Sequence, residues 1–320
     1  MTDDIALYAN QRAALRNAAG VRLIDFTRTL QPKYRVVYRD IGLGYLALIL
    51  SCVLTAALPS VGVPWLLAAV IGAGLIGSAI AYLQLFIHEG AHYNLAADRR
   101  RSDLVCDLLI SWMAGTTVAN YRLVHFRHHR ELGKPDDSEH TYFFALDPLF
   151  ILKSLTGWRA LEVLLFRRGI AVSPSEGRRP GVSWPVILGA FFHLAVVVLS
   201  LAFHQWSLAF GWIGGVVIVF PFLGALRQLL EHRRPDAGAH VDYFREAHGA
   251  YSRLFSDGPI DAIVGGAGFN RHLLHHWEPQ LSYTNLPELE RFLLETPLRD
   301  HLVSRRSTYW RTFRSLLTAG

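Results

Sequence analysis

The sequence predicts an all-α integral membrane protein: four transmembrane helices in two hairpins, interfacial helices, and a histidine-rich cap on the cytoplasmic side. Three observations carry this expectation. Two long stretches lack any charged residue, turn-forming residues divide each stretch near its middle, and eight of the 15 histidines cluster in the polar segments alongside.

No Lys, Arg, Asp or Glu occurs from Ile41 to His88 or from Pro180 to Leu226. Each stretch is more than twice the ~20 residues that cross a bilayer as a helix, so each is expected to cross out and back. Pro59, Gly62 and Pro64 divide the first into helices expected near Ile41 to Leu58 and Trp65 to Ile87. His204, Gln205 and Trp206 divide the second into helices expected near Trp184 to Phe203 and Ser207 to Leu226.

With 51% hydrophobic and 18% charged residues, the chain is too apolar for an ordinary soluble enzyme. Its net charge of +6 resembles that of a nucleic-acid binder, but the lysines and arginines avoid both short turns and lie in the three polar segments. The positive-inside rule then places those segments, the histidine clusters and both termini in the cytoplasm. The basicity reads as membrane topology and argues against a nucleic-acid partner.

The expected organisation is one membrane domain over residues 1–320. A cytoplasmic or interfacial segment (1–40) precedes the first hairpin (41–87). A cytoplasmic segment (88–182) precedes the second hairpin (183–226), and a last cytoplasmic segment covers 227–320. In residues 1–40, Ile5, Leu7, Leu15, Val21, Leu23 and Ile24 lie among arginines, which suits a helix resting on the membrane surface. The run Leu104 to Val118 is apolar but contains Asp107 and is too short to span, predicting a re-entrant or interfacial helix. Asp147 to Phe166, with Lys153, Arg159 and Glu162 on a polar side, predicts another interfacial helix, and residues 167–183 a mobile loop. Cys52 and Cys106 form no C-x-x-C and are expected to pack. The start, MTDDIALYANQ, lacks the features of a cleaved signal peptide, so insertion by the chain's own helices is expected.

The clusters are His88/His92, His125/His128/His129 and His272/His275/His276. Residues at i, i+3 and i+4 share a helix face, so each cluster aims its imidazoles in one direction. Neutral imidazole suits Fe, Zn, Cu or Ni, and eight ligands exceed what one ion uses, which points to a dinuclear centre. His232, following Glu231 at the end of the fourth helix, is the best candidate for a ninth ligand. Glu89, Asp136, Asp137, Glu231 and Glu278 adjoin the clusters and are candidates to accept the imidazoles' second N–H. His88 to His92 also reads H-E-x-x-H, the zinc metalloprotease pattern, but that reading leaves both H-x-x-H-H runs unexplained.

HEGAH, YRLVHFRHHRELGKPDD, RQLLEH and NRHLLHHWEPQLSYTNLPEL, in this order around two apolar hairpins, resemble the membrane-bound fatty acid desaturase superfamily from about residue 40 to 295. The resemblance implies that the eight clustered histidines ligate two irons, with His232 as a further ligand and O2 as co-substrate. Gln228 is similar in placement to an amide that some acyl-CoA desaturases direct at an iron through water. Asn270, Pro279 and Asn285-Leu286-Pro287 match the family around its third box. The third box opens on His272 rather than glutamine, no H-P-G-G haem motif is present, and the first box has three residues between its histidines rather than four. These departures set the chain apart from front-end and stearoyl-CoA-type enzymes.

What the resemblance implies is oxygen-dependent desaturation of a long apolar acyl chain of a lipid. The chain has no flavin, haem or iron–sulfur motif, so electrons are expected from an external ferredoxin, rubredoxin or cytochrome b5. A hydroxylase or ketolase of a lipid or terpenoid shares the same boxes. A metal transporter would place its ligands at the membrane midplane, whereas these lie at helix ends. His193, inside the third helix, is a candidate for function or for a bond to a neighbouring helix. His204 lies at the outer turn, and His140, His240, His248 and His301 are expected at the surface or in packing.

Overall fold

The computed structural model describes residues 4–159, 161, 162, 165 and 183–319. In chain order, α1 (Asp4–Gln11) and α2 (Leu23–Thr29) precede α3 (Tyr34–Ala57) and α4 (Trp65–Ala91). Next come α5 (Arg99–Leu109), α6 (Val118–Glu131) and α7 (Pro148–Leu155), then α8 (Trp184–Ala202), α9 (Trp206–Gly214) and α10 (Phe220–His232). The last part holds α11 (Pro259–Val264), α12 (His272–Trp277), α13 (Leu286–Leu293), α14 (Arg299–Ser304) and α15 (Tyr309–Ala319). Two short strands, β1 (Leu254–Phe255) and β2 (Arg306–Ser307), pair in parallel.

Four helical segments are long and apolar enough to cross a membrane: Tyr34–Val61, Trp65–Ala91, Trp184–Ala202 and Trp206–His232. Along α3, Val37, Ile41, Gly44, Leu48 and Thr55 turn inward at helical spacing, while Leu43, Leu46, Ile49, Leu50 and Val53 stay exposed. Past Arg39 and Asp40 the exposed face is apolar, which fits a lipid environment, where the helix satisfies its own backbone groups. Small residues set how closely the spans approach. A Cβ on Gly77 of α4 would lie 2.8 Å from the carbonyl oxygen of Gly215, so only glycine permits this crossing. Gly215–Val219 forms a π turn between α9 and α10, next to Pro221, which has no N–H to offer the helical ladder.

The helices outrun the charge-free stretches. α3 begins at Tyr34, α4 continues to Ala91, and the fourth span continues to His232. Absence of charge marks where the apolar surroundings end, whereas a helix continues as long as its hydrogen-bond ladder does. The extra turns carry the HEGAH histidines and His232 away from the apolar layer on rigid backbone.

Two expectations for the polar segments are corrected, and one gains a packing partner. In residues 1–40, Tyr8, Leu15 and Leu23 are buried with Leu273, Leu274, Trp277 and Leu289, so the segment packs on the helix that carries the third box. Leu104 to Val118 is not one helix. α5 stops at Leu109, a 3-10 turn covers Ser111–Ala114, and Gly115 closes it at φ 62°. Buried backbone off the helical ladder needs partners. Gln84 donates to the carbonyl of Ile110 at 2.9 Å, Tyr45 donates to that of Leu109, and His193 bonds that of Met113 at 3.0 Å. His193 therefore has a structural bond to a neighbouring segment, and its Nδ1 accepts from Trp212 Nε1 at 3.2 Å. Finally, the amphipathic run from Asp147 is helical from Pro148 to Leu155 and breaks at Thr156 and Gly157, the latter at φ 76°. Of the loop expected at 167–183, residues 167–182 lie outside the described residues.

Candidate metal centre

Four helices deliver the clustered histidines. His88 lies in the last turn of α4 and His92 is its C-cap; His125, His128 and His129 lie on α6; His232 ends α10; and His272, His275 and His276 lie on α12. Arg122 of α6 locks the first two boxes together. Its guanidinium donates to the terminal α4 carbonyls of Ala91 at 2.8 Å and Gly90 at 3.1 Å, and pairs with Asp103 of α5 at 2.5 Å. Cations are favoured at helix C-termini.

The nine imidazoles form two groups, His88/His92/His125/His129/His275 and His128/His232/His272/His276, each with one nitrogen per residue within 4.8 Å of all the others. The H-x-x-H-H doublets explain how. Consecutive helical residues point about 100° apart, so neighbouring histidines aim at different positions. α6 sends its i, i+4 pair (His125, His129) to the first group and His128 to the second. α12 does the reverse, sending His272 and His276 to the second and His275 to the first.

Hydrogen bonding between the rings cannot account for this arrangement. His125 Nε2 lies 2.9 Å from His92 Nε2 and 3.0 Å from His129 Nε2, which is itself 3.0 Å from His275 Nε2. In the second group His272 Nε2 lies 3.0 Å from His232 Nε2 and 3.2 Å from His276 Nε2. A ring nitrogen carries either one proton or one lone pair, so it cannot serve two such neighbours at once. Two nitrogens bound at about 2.1 Å to one ion, at right angles, lie about 3.0 Å apart, which is the spacing seen. His88 Nε2 and His128 Nε2 are buried with no hydrogen-bond partner in the described structure. The residues therefore fit two metal positions, with five and four nitrogens around them.

Outer partners fix the tautomers. His128 Nδ1 lies 2.9 and 3.0 Å from the two oxygens of buried Asp137, and His232 Nδ1 lies 3.0 Å from the carbonyl oxygen of Tyr251. With Nδ1–H donating outward, each Nε2 keeps a lone pair for a metal. Asp137 also accepts from Tyr142 Oη at 2.5 Å and from the Glu139 backbone N–H at 2.8 Å.

Burial, reinforced by mutual proximity, holds His92, His129, His272, His275 and His276 well below the ordinary imidazole value. His125 is also lowered, by burial first. For His128 burial also acts downward, but Asp137 and Glu139 overcome it and raise the ring to about 9. Six rings thus favour the neutral form that metal binding requires. In the metal-free protein their depressed values mean that unfolded chains bind more protons below about pH 6.5, so stability falls as pH drops through that range. His128 acts oppositely, its contribution fading as pH rises towards 9. The melting temperature of chelator-treated protein is expected to decline steeply on the acid side of about pH 6.5, and a flat profile from there to pH 5 would contradict this.

The sequence model of the fatty acid desaturase family matches residues 60–309, a span that contains all nine histidines. The chain belongs to the fatty acid desaturase family. No curated protein matches it.

In this desaturase-family chain the candidate residues outside the histidines fall into different places. Asp137 meets His128, and Glu231 Oε2 lies 3.8 Å from His272 Nε2. Glu89 Oε1 lies 3.8 Å from His88 Nδ1, and its other oxygen accepts the Tyr283 N–H at 3.2 Å. Asp136 is not brought to the centre: its side chain is 83% exposed and faces Arg127 at 3.9 Å. The Asn270 amide is held by Asp257 at 3.0 Å, shaping the entry to α12. Glu278, near His276 only in sequence, pairs with Tyr8 of α1 and with Arg12 just beyond it, each at 2.5 Å. Gln228 donates to Glu139 Oε2 at 2.7 Å, and Glu139 Oε1 lies 3.7 Å from His125 Nδ1. Gln228 thus reaches the histidine centre through Glu139, a residue sequence reading missed although it stands two positions from Asp137. His140 and His248 are buried, whereas His204 and His240 are exposed. Burial lowers His248 to about 4.

Proposed function

We propose that this protein is a di-iron, O2-dependent desaturase that introduces a double bond into a long acyl chain of a membrane lipid. The interleaved pair of imidazole groups carries the reading, because one family with two nitrogen-lined positions needs nine such ligands and a single metal does not. His88, His92, His125, His129 and His275 would hold one iron, and His128, His232, His272 and His276 the other. Bound irons would supply the oxidising chemistry with O2 that removes two hydrogens from unactivated carbons.

The remaining residues position and shield. A cavity of about 230 Å³ lies between α4 and α10, lined by Tyr82, Leu85, Phe220, Leu223, Leu230 and Ile263 among others. Leu85 is one helical turn before His88, and Leu230 two residues before His232, so the helices that line this space are those that carry these two histidines. Such a wall suits a hydrocarbon chain and holds it in a fixed relation to the metals, which is the larger part of what a protein contributes to such a reaction. Asp137 and the Tyr251 carbonyl hold the rings of the second group in the orientation that coordination needs.

In this reading the centre and both termini face the cytoplasm, since the arginine-bearing segments flank the spans on that side. The iron-loaded protein in lipid nanodiscs, with a chemical reductant and O2, is expected to convert phospholipid acyl chains to products lighter by two hydrogens, as mass spectrometry reads directly. Products heavier by one oxygen would replace desaturation with hydroxylation. Turnover without O2 would overturn both.

A further inference from the structure

Behind the second imidazole group lies a basic pocket that the centre's geometry leaves unused. It encloses about 180 Å³ and is lined by Tyr251, Arg253, Arg305, Arg306, Arg311 and Ser315, among others. Arg305 is paired with Asp4 at 2.7 Å, and Arg306 is paired with Glu290, which also binds Arg271 at 2.8 Å. Among the described residues, Arg253 and Arg311 have no carboxylate within 4.0 Å. Arg253 is only 4% exposed, and its guanidinium donates to a neutral acceptor, the Leu230 carbonyl, at 2.7 Å. A buried guanidinium without a carboxylate is costly unless an anion completes it.

The pocket is wired to the centre by three consecutive residues. The Tyr251 carbonyl accepts His232 Nδ1–H at 3.0 Å, Ser252 Oγ lies 3.2 Å from the same nitrogen, and the Arg253 carbonyl accepts the N–H of Leu273 in α12 at 3.2 Å. An anion docked in the pocket is therefore one hydrogen bond from a ring of the second group.

The occupant comes from water rather than from lipid. On α15, Tyr309, Thr312 and Leu316 are buried, and at about 100° per residue Trp310 and Leu317 fall on one flank while Arg311 and Ser315 fall on the other. The exposed apolar flank, with Trp310 at 64%, belongs to a helix that packs on α11, where Ile260 and Ile263 are also exposed, and suits the bilayer surface. The pocket opens on the opposite flank.

We propose that this arginine pocket is the docking point of an acidic, soluble one-electron carrier, which passes electrons through the Tyr251–Arg253 segment to the centre. The inference rests on the di-iron reading. Desaturation takes two electrons and two protons from outside for each O2; with the two substrate hydrogens, both oxygen atoms leave as water. Each electron oxidises one reduced carrier, and a carboxylate of the carrier seats against Arg253 and Arg311, as charge complementarity predicts.

The test uses full-length, iron-loaded protein in nanodiscs and stopped-flow reduction by dithionite and by three reduced carriers: a ferredoxin, a rubredoxin and cytochrome b5. The variant Arg311→Glu with Ser315→Glu changes two exposed positions and leaves the buried side of α15 intact. At low salt its reduction by the best carrier is expected to slow by about tenfold or more and to lose the wild type's salt dependence, with Arg311→Lys close to wild type. Dithionite reduction is expected to be unchanged. Equal carrier rates in wild type and variant, a salt-insensitive wild-type rate, or reduction by none of the three carriers would overturn the docking proposal. If dithionite itself fails to reduce the wild type, the di-iron reading falls first.

Discussion

Alanine at His129 and, separately, at His272 is expected to lower turnover by more than about 100-fold, beyond the usual loss from an outer partner of a ligand. Each ring stands between two others of its group, His129 between His125 and His275, and His272 between His232 and His276. They belong to different groups, so each variant is expected to retain close to one metal per chain rather than none. His204→Ala, at an exposed turn between the third and fourth spans, serves as the control and is expected to behave as wild type. Metal analysis of membranes carrying each variant checks this. Loss of both metals from either single variant would argue for one shared position instead of two.

Asp137→Asn is expected to weaken metal binding by about 10–100-fold, because the charge that holds the His128 tautomer disappears while the shape remains. Asp137 is fully buried and takes three donors, from His128, Tyr142 and the Glu139 backbone. Asp136→Asn, one residue away with an 83% exposed side chain, is expected to bind metal as wild type does. Competition with a chelator measures both. If Asp137→Asn lowers only the melting temperature and leaves affinity unchanged, Asp137 is a packing residue.

That pair shows where sequence reading ended. Histidine spacing and the charge-free stretches reflect strong local rules, helix periodicity and the exclusion of charge from hydrocarbon, so the box histidines and the four spans were legible. The division of the histidines between two positions was not, because it depends on how α6 and α12 face each other across the site. Asp136 and Asp137 look alike in sequence, and only the turn after α6 decides which one points inward. Gly133 belongs to that turn: it stands at φ 78°, and a Cβ there would lie 2.2 Å from the Gly249 backbone. The tyrosine carbonyl that serves His232 carries no side-chain signature at all. The packing of residues 1–40 was not legible for a related reason: their apolar spacing fits a membrane surface as well as it fits the α12 and α13 surface that Tyr8 and Leu23 meet.

The central claim is two metal positions built from nine histidines, and metal analysis of purified wild-type protein tests it most directly. Close to two irons per chain is the predicted result. One metal per chain, or stoichiometric zinc in protein that turns over without O2, would contradict it.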